Sequence, residues 1–155
     1  MQTKTQEQQL EQSHLGSSTA YKSDYDPSLL FSLSRQLKRD LINVAAPLPF
    51  HGADIWNAYE ISWLNSKGKP MVAIGEFIFP ATTPNIIESK SFKLYLNSFN
   101  QTMFQNSDMV QQKMAHDLTQ AANAPIDVKL TWLHETQDIP IKPYTGMYLD
   151  GLDVT

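Results

Sequence analysis

One segment of the chain, residues 86–99, constrains the fold most because it joins a helix-start signal to a continuous apolar stripe. The stripe has side chains at spacings of i, i+3, i+4, i+7 and i+11: Phe92, Tyr95, Leu96, Phe99 and Met103. This spacing is typical of an amphipathic helix that buries one face. Turn- and cap-forming residues, Pro84, Asn85 and Ser89, come just before the stripe. The sequence therefore predicts a helix whose first turn lies at or next to Glu88.

The polar residues at the start of this helix have two interpretations. A helix N-terminus offers unpaired N–H groups and a partial positive charge, so it suits phosphate, and Lys90 adds a full charge. Glu88 would then be a planar double acceptor for the N–H groups of a guanine-like heterocycle. Alternatively, Glu88 merely complements the helix dipole, and Lys90 and Lys93 form a solvated face. The spacing alone does not overturn this second interpretation.

Two segments with alternating side chains precede the helix. Residues 55–64 carry apolar groups on both faces, which is typical of a strand that is covered on each side. Residues 65–70 have turn chemistry, so residues 71–79 are expected to return antiparallel as the second strand of a hairpin.

A second helix and further strands are predicted after residue 105. Asn106 and Ser107 form a cap, and Asn123 with Pro125 ends the helix. Its apolar residues recur at helical spacing: Val110, Met114, Leu118 and Ala121. Residues 126–134 alternate as a third strand, with His134 a structural residue, and residues 139–148 could add a fourth at an edge. This order, ββααββ, predicts an α+β domain with an antiparallel sheet and both helices on one face.

The N-terminal part of the chain divides into a tail and an arm. Residues 1–22 are too polar for burial to offset the entropy of ordering them, so a mobile tail is expected. Residues 25–50 are expected to form an ordered arm with a short helix near residues 34–42. We attribute Arg35, Lys38 and Arg39 to an exposed face of that helix in preference to a phosphate site.

Composition excludes several classes of protein. A net charge of −4, from 12 basic and 16 acidic residues, disfavours a nucleic-acid-binding surface. An apolar run of about 18 residues and a signal peptide are both lacking, so we expect a cytoplasmic chain without membrane contact. The sequence has no cysteine, which excludes a thiolate metal site and a cysteine nucleophile on this chain. Its four histidines lack metal-ligand spacing, and no metal site is expected.

The run Glu88-Ser89-Lys90-Ser91-Phe92-Lys93-Leu94-Tyr95 resembles the signature of a nitrile reductase family of queuosine biosynthesis, the NADPH-dependent 7-cyano-7-deazaguanine reductases. All eight positions match. Residues 25–31, 56–60 and 73–77 also resemble the two-module form of these enzymes. The resemblance implies a tunnelling fold, whose modules assemble side by side into a barrel with the helices outside. Such barrels bind purine- or pterin-like ligands where modules meet.

The family reduces the nitrile of 7-cyano-7-deazaguanine to the amine of 7-aminomethyl-7-deazaguanine with NADPH, through a thioimide on cysteine. In the two-module enzymes that cysteine and its acidic partner lie in the C-terminal half, whereas this chain resembles the N-terminal half. We therefore expect no catalytic residue here and no activity from this chain alone. The expected domain limits are a tail over 1–22, the module over 23–148 and the start of an inter-module connection over 149–155.

The resemblance also implies the site residues and the partners. Substrate binding is assigned to Ile87, Glu88 and Ser89. NADPH binding is assigned to Ser89, Lys90, Ser91 and Lys93. The implied partners are the deazapurine, the C-terminal module and further copies in a homodimer or higher oligomer, with no direct contact to nucleic acid. The alternative is a non-catalytic module that binds a purine- or pterin-like ligand or serves as a scaffold.

Overall fold

The computed structural model describes residues 22–136 and 146–153, which form an α+β module with antiparallel sheets. Its helices and strands are, in chain order, β1 (Ser32–Ser34), α1 (Arg35–Leu41), β2 (Ala53–Leu64), β3 (Pro70–Pro80), β4 (Asn85–Ile87), α2 (Ser89–Asn97), α3 (Ser107–Ala122) and β5 (Asp127–Trp132). Short 3-10 helices cover Pro27–Leu29 and Leu133–Glu135. One sheet has the order β2-β3-β5, and a second pairs β1 with β4. The predicted fold class is confirmed, and the architecture is consistent with the N-terminal module of a tunnelling fold.

The predicted hairpin of β2 and β3 is present, but it contains a β-bulge. Ala58 pairs with Gly75 and Ile61 with Ala73, so three residue steps on β2 oppose two on β3. One extra residue changes which alternate side chains face the core. Trp56 packs against the core before the bulge, and Ile61 is 1% exposed after it.

The bulge corrects our interpretation of β2. Apolar residues appear on both faces in the sequence because the core-facing face changes part-way along the strand, and the described part of this chain covers only one face. Ile55, on the opposite face before the bulge, is 58% exposed, and Tyr59, within the bulge, is 76% exposed. Within the described residues, one face of this sheet packs on the helices and the other stays largely open.

The core lies between that sheet face and the helices α2 and α3. Its buried side chains include Trp63, Ala73, Phe77 and Phe79 from the sheet, Phe92, Tyr95 and Phe99 from α2 and the turn after it, and Val110, Met114 and Leu118 from α3. Phe92 contacts Phe77 edge to face, with ring centroids 4.9 Å apart. Both long helices therefore cover the same sheet face, as the sequence pattern predicted.

The apolar stripe was correct except at its last member. α2 ends at Asn97, and Met103 is 63% exposed instead of buried. The chain after the helix turns toward β2, where the Leu64 N–H donates to the Thr102 carbonyl at 3.0 Å. Once the helix has ended, helical spacing no longer determines which face a residue joins.

The second predicted helix is confirmed at both ends. The Asn106 side chain accepts a hydrogen bond from the Met109 N–H at 2.9 Å, and Asn123 adopts the left-handed conformation that ends α3.

The remaining elements either differ from the sequence predictions or lie wholly or partly outside the described residues. The pairing of β1 with β4 was not predicted. The third strand ends at Trp132, and His134 lies in the following 3-10 helix. Residues 139–145 of the predicted fourth strand and residues 1–21 of the predicted tail lie outside the described residues, and residues 146–148 form no strand.

Candidate functional site

The motif helix α2 begins where β4 ends, and the arm holds this junction in place. β4 pairs with β1, and the Glu88 N–H donates to the Phe31 carbonyl at 2.9 Å. Glu88 has an extended backbone (φ −66°, ψ 134°) and is the N-cap of the helix. Its Oε1 accepts from the Lys90 N–H and its Oε2 from the Ser91 N–H, both at 2.8 Å.

This geometry gives Glu88 a structural role. The side chain is only 6% exposed, and its two oxygens satisfy two of the N–H groups that a helix start leaves unpaired. Complementing the helix dipole therefore describes part of what Glu88 does. The Ser89 hydroxyl also donates to Oε1, at a longer 3.4 Å. A carboxylate has about four acceptor positions, so capacity remains for a further donor beside these contacts.

The other predicted site residues divide into buried and accessible ones. Ile87 is 2% exposed and belongs to the core. Ser91 is fully buried, and its hydroxyl donates to the Glu88 carbonyl at 2.7 Å and accepts from the Phe31 N–H at 3.0 Å. Ser89 and Lys93 are exposed and Lys90 is half-buried. Only the last three present side chains to solvent.

A groove of about 210 Å³ beside the helix start brings two of these residues together with β2. Its walls include Ser89 and Lys93 from α2 and Trp56, Asn57 and Glu60 from β2. We call it the motif groove. An aromatic ring, an amide, a carboxylate, a hydroxyl and an ammonium line one small space, which is the mixture expected of a site for a polar heterocycle.

Sequence reasoning missed the contribution of β2 to this groove. Trp56, Asn57 and Glu60 belong to a segment that resembled the family, yet none was assigned to the site. The Trp56 ring is set by an edge-to-face contact with Phe92, with centroids 5.5 Å apart. The family-like run at residues 56–60 was the available signal.

Behind the motif helix, a buried carboxylate links three parts of the chain. Asp117 of α3 is 7% exposed and accepts from the Tyr95 hydroxyl at 2.8 Å and the Tyr25 hydroxyl at 2.6 Å. Burial, and then the hydrogen bond to Asp117, raises the pKa of both tyrosines. Lys113 approaches the same carboxylate at 3.5 Å. The network ties the arm and the motif helix to α3.

The charges of α1 also make tertiary contacts, which corrects our interpretation of them as a solvated face. Arg35 forms an ion pair with Asp54 and donates to the Thr83 hydroxyl at 2.9 Å, and Arg39 donates to the Ala81 carbonyl. Lys38 alone of the three is exposed.

A metal site and a membrane-spanning helix are both absent from the described ranges 22–136 and 146–153. No group of three or more His, Cys, Asp or Glu side chains there is arranged to hold a metal ion. No helix in that part of the chain has both the length and the apolar character needed to cross a membrane.

Comparison with known proteins identifies the module. Residues 21–130 match the family model described as the N-terminal region of the nitrile reductase 7-cyano-7-deazaguanine reductase. Similar curated proteins include the NADPH-dependent 7-cyano-7-deazaguanine reductases of Ralstonia nicotianae, 55% identical over 93% of this chain, and Dechloromonas aromatica, 54% identical over 92%. The Cupriavidus pinatubonensis enzyme is 51% identical over 93%.

The aligned region accounts for only part of these relatives. It covers 53% of the Ralstonia nicotianae protein and 51% of the Dechloromonas aromatica protein, so the chain spans about half the length of the curated relatives it matches. The signature motif, the fold and these relatives all indicate the same family. The chain therefore belongs to the family of 7-cyano-7-deazaguanine reductase N-terminal modules.

Proposed function

We propose that this chain is the substrate- and cofactor-binding N-terminal module of an enzyme that reduces 7-cyano-7-deazaguanine to 7-aminomethyl-7-deazaguanine with NADPH, for the queuosine modification of tRNA. The observation that carries this proposal is the helix start, where Glu88, the N-cap of α2, lies beside a groove that contains Ser89 and Lys93. A cytoplasmic location follows from this activity.

In this proposal Glu88 receives the guanine-like edge of the substrate. Its carboxylate accepts N–H groups of the ligand at positions that the two backbone N–H groups leave, and the long 3.4 Å contact from the Ser89 hydroxyl gives way to the ligand. Ser89 contributes its hydroxyl. Ile87, being buried, contributes through its backbone and by packing beneath the ligand.

For NADPH, the accessible side chains at the helix start fit an anionic dinucleotide. Lys90 and Lys93 supply positive charge, and the Ser89 hydroxyl can donate to a phosphate oxygen. Ser91 acts indirectly, because its buried hydroxyl bridges the helix start and the arm. NADPH, when bound, supplies the hydride for reduction.

We propose that the nucleophile comes from a second module. The sequence contains no cysteine, and the relatives extend over about twice the aligned length. Residues 23–148 would form the module, residues 1–22 a tail, and residues 149–155 the start of the connection. β2 and β5 each have one edge without a strand partner among the described residues, which favours association with a second module and further copies.

The alternative function is a binding or scaffold module without catalysis. The motif groove would serve this role equally well, since it could bind a purine- or pterin-like heterocycle without a reaction.

Turnover with and without a partner module separates the two. We expect no NADPH consumption by this chain alone, because nothing here can activate the nitrile covalently. Addition of the C-terminal half of the Ralstonia nicotianae relative should restore NADPH consumption and amine formation. Turnover by the chain alone would refute the missing-nucleophile argument. Inactivity after addition of the C-terminal half would favour the binding role.

A further inference from the structure

A second cavity, of about 540 Å³, lies between α1 and the first residues of β2. Its apolar walls are formed by Leu33, Leu37, Phe50 and Ile86. We call it the arm cavity. Pockets for small molecules typically measure roughly 300–1,000 Å³ and combine apolar walls with a few polar groups, so this volume suits part of a nucleotide.

The polar lining of the arm cavity carries excess positive charge. Arg35, Lys38 and Arg39 line it together with a single carboxylate, Asp54, which pairs with Arg35. No ion pair found among the described residues includes Lys38 or Arg39. Arg39 donates one hydrogen bond to the Ala81 carbonyl, so it is anchored while other guanidinium donors remain for a ligand. Two uncompensated cations beside apolar walls favour a ligand with a flat apolar body and an anionic group.

The arm cavity and the motif groove are neighbours along β2 and along the junction of β4 with α2. Asp54 lines the cavity and Trp56 the groove, and residues two apart on a strand share a face about 7 Å from each other. Likewise, Ile86 lines the cavity and Ser89 the groove, and three residues of extended chain span at most about 11 Å. One dinucleotide can therefore reach both sites.

We propose that the arm cavity binds the adenosine 2′-phosphate half of NADPH, with Lys38 and Arg39 contacting the 2′-phosphate. This inference rests on the proposed function, because it assigns a position to one end of the cofactor named there. It implies that the arm, and not the signature motif, determines the choice of NADPH over NADH, which lacks this phosphate.

Direct binding tests the site without any turnover. Calorimetric titration of this chain with 2′,5′-ADP should detect binding, and Lys38→Glu should weaken it at least about tenfold, because a charge-assisted contact is replaced by repulsion. Lys67→Glu, an exposed charge reversal in the hairpin turn, should leave the affinity unchanged. Thermal unfolding of both variants verifies that they fold.

Two further ligands identify what is recognised. 5′-AMP should bind more weakly than 2′,5′-ADP, and inorganic phosphate more weakly still. An affinity for inorganic phosphate equal to that for 2′,5′-ADP would mean a simple anion site. Unchanged 2′,5′-ADP affinity in Lys38→Glu would exclude Lys38 from the binding site. Either result overturns the inference.

Kinetics with a second module separate this inference from the proposed function. Lys38→Glu should raise the KM for NADPH about tenfold and leave the KM for NADH unchanged. An equal rise for both cofactors, or no rise, overturns the assignment even if the nitrile is reduced. Absence of nitrile reduction by the unsubstituted protein would instead refute the proposed function, while the 2′,5′-ADP titration would still decide the arm cavity.

Discussion

At the scale of single residues, Glu88 combines a structural contact with a proposed binding contact. Its carboxylate caps α2 through two backbone N–H groups, and the same carboxylate is proposed to accept N–H groups of the deazapurine. The two contributions can be separated by a control substitution, because Asn106 caps α3 and does not line the motif groove.

Glu88→Ala should lower the free energy of unfolding by about 1 kcal/mol through loss of the cap. In the protein with both modules it should also weaken 7-cyano-7-deazaguanine binding by at least about 2 kcal/mol. Asn106→Ala is the matched control, since it removes the cap of α3 and should reduce stability alone. Urea unfolding and calorimetric titration measure the two effects. Equal loss of binding in both variants would show that Glu88 acts only through the fold.

Tyr95 should make the stability of the module sensitive to alkaline pH. Burial, and then Asp117, raises its pKa above the ordinary value of 10.0, so folding favours the neutral phenol. The corresponding stabilisation is complete below about pH 10 and is lost as pH rises toward the folded-state pKa.

In Tyr95→Phe the free energy of unfolding should therefore decrease less steeply above about pH 10. At neutral pH it should be lower by about 1 kcal/mol, because the hydrogen bond is lost. Denaturant unfolding between about pH 7 and pH 11 measures both effects. Tyr59→Phe, at a ring that is 76% exposed, is the control and should leave the decrease in unfolding free energy at alkaline pH unchanged. The same decrease at alkaline pH in Tyr95→Phe and in the unsubstituted chain would contradict this role of Tyr95.

At the scale of elements, the bulge in β2 depends on a glycine in β3. A Cβ atom built on Gly75 would collide with the Cδ1 of Ile61 and lie 3.0–3.1 Å from the Phe77 ring. Both neighbours are buried, so neither can move into solvent. The absence of a side chain at Gly75 lets Ile61 enter the core just after the bulge.

Gly75→Ala should lower the free energy of unfolding by about 1–3 kcal/mol through overpacking. Ile61→Val removes the colliding Cδ1, and alone it should cost about 0.5–1.5 kcal/mol. The double variant should be more stable than the sum of the two single effects predicts, as measured by a double-mutant cycle in urea. Strict additivity would mean that the collision does not determine the cost.

At the scale of the whole molecule, the open sheet face bears on the second module. Ile55 and Tyr59 are large, exposed side chains on the face away from α2 and α3. Exposed apolar side chains of this kind are typical of surfaces that are buried on association.

Ile55→Lys should leave the free energy of unfolding of this chain within about 0.5 kcal/mol, because the side chain is exposed. It should nevertheless reduce association with a C-terminal module, as measured by analytical ultracentrifugation of the mixture. Met109→Lys, an exposed apolar residue on α3, is the control and should not affect association. Unchanged association of Ile55→Lys would exclude this part of the face from the interface.

What the sequence alone determined is local. The start of α2, both ends of α3 and the β2–β3 hairpin follow from caps, turn residues and periodicity, because each of these signals acts between residues a few positions apart. The family signature also placed the candidate site at the start of α2. These predictions needed no knowledge of which distant segments meet.

Contacts between distant segments were decided only by the tertiary structure. The pairing of β1 with β4, the burial of Ser91 against the arm and the Arg35–Asp54 ion pair each join residues far apart in sequence. The bulge shifts the alternation by one residue, which no local pattern reveals because side chains on both sides of it remain apolar. The motif groove likewise exists only because β2 lies beside α2, so its β2 residues were missed. Periodicity specifies an element and its faces, whereas the packing of elements determines which face is buried and which residues meet.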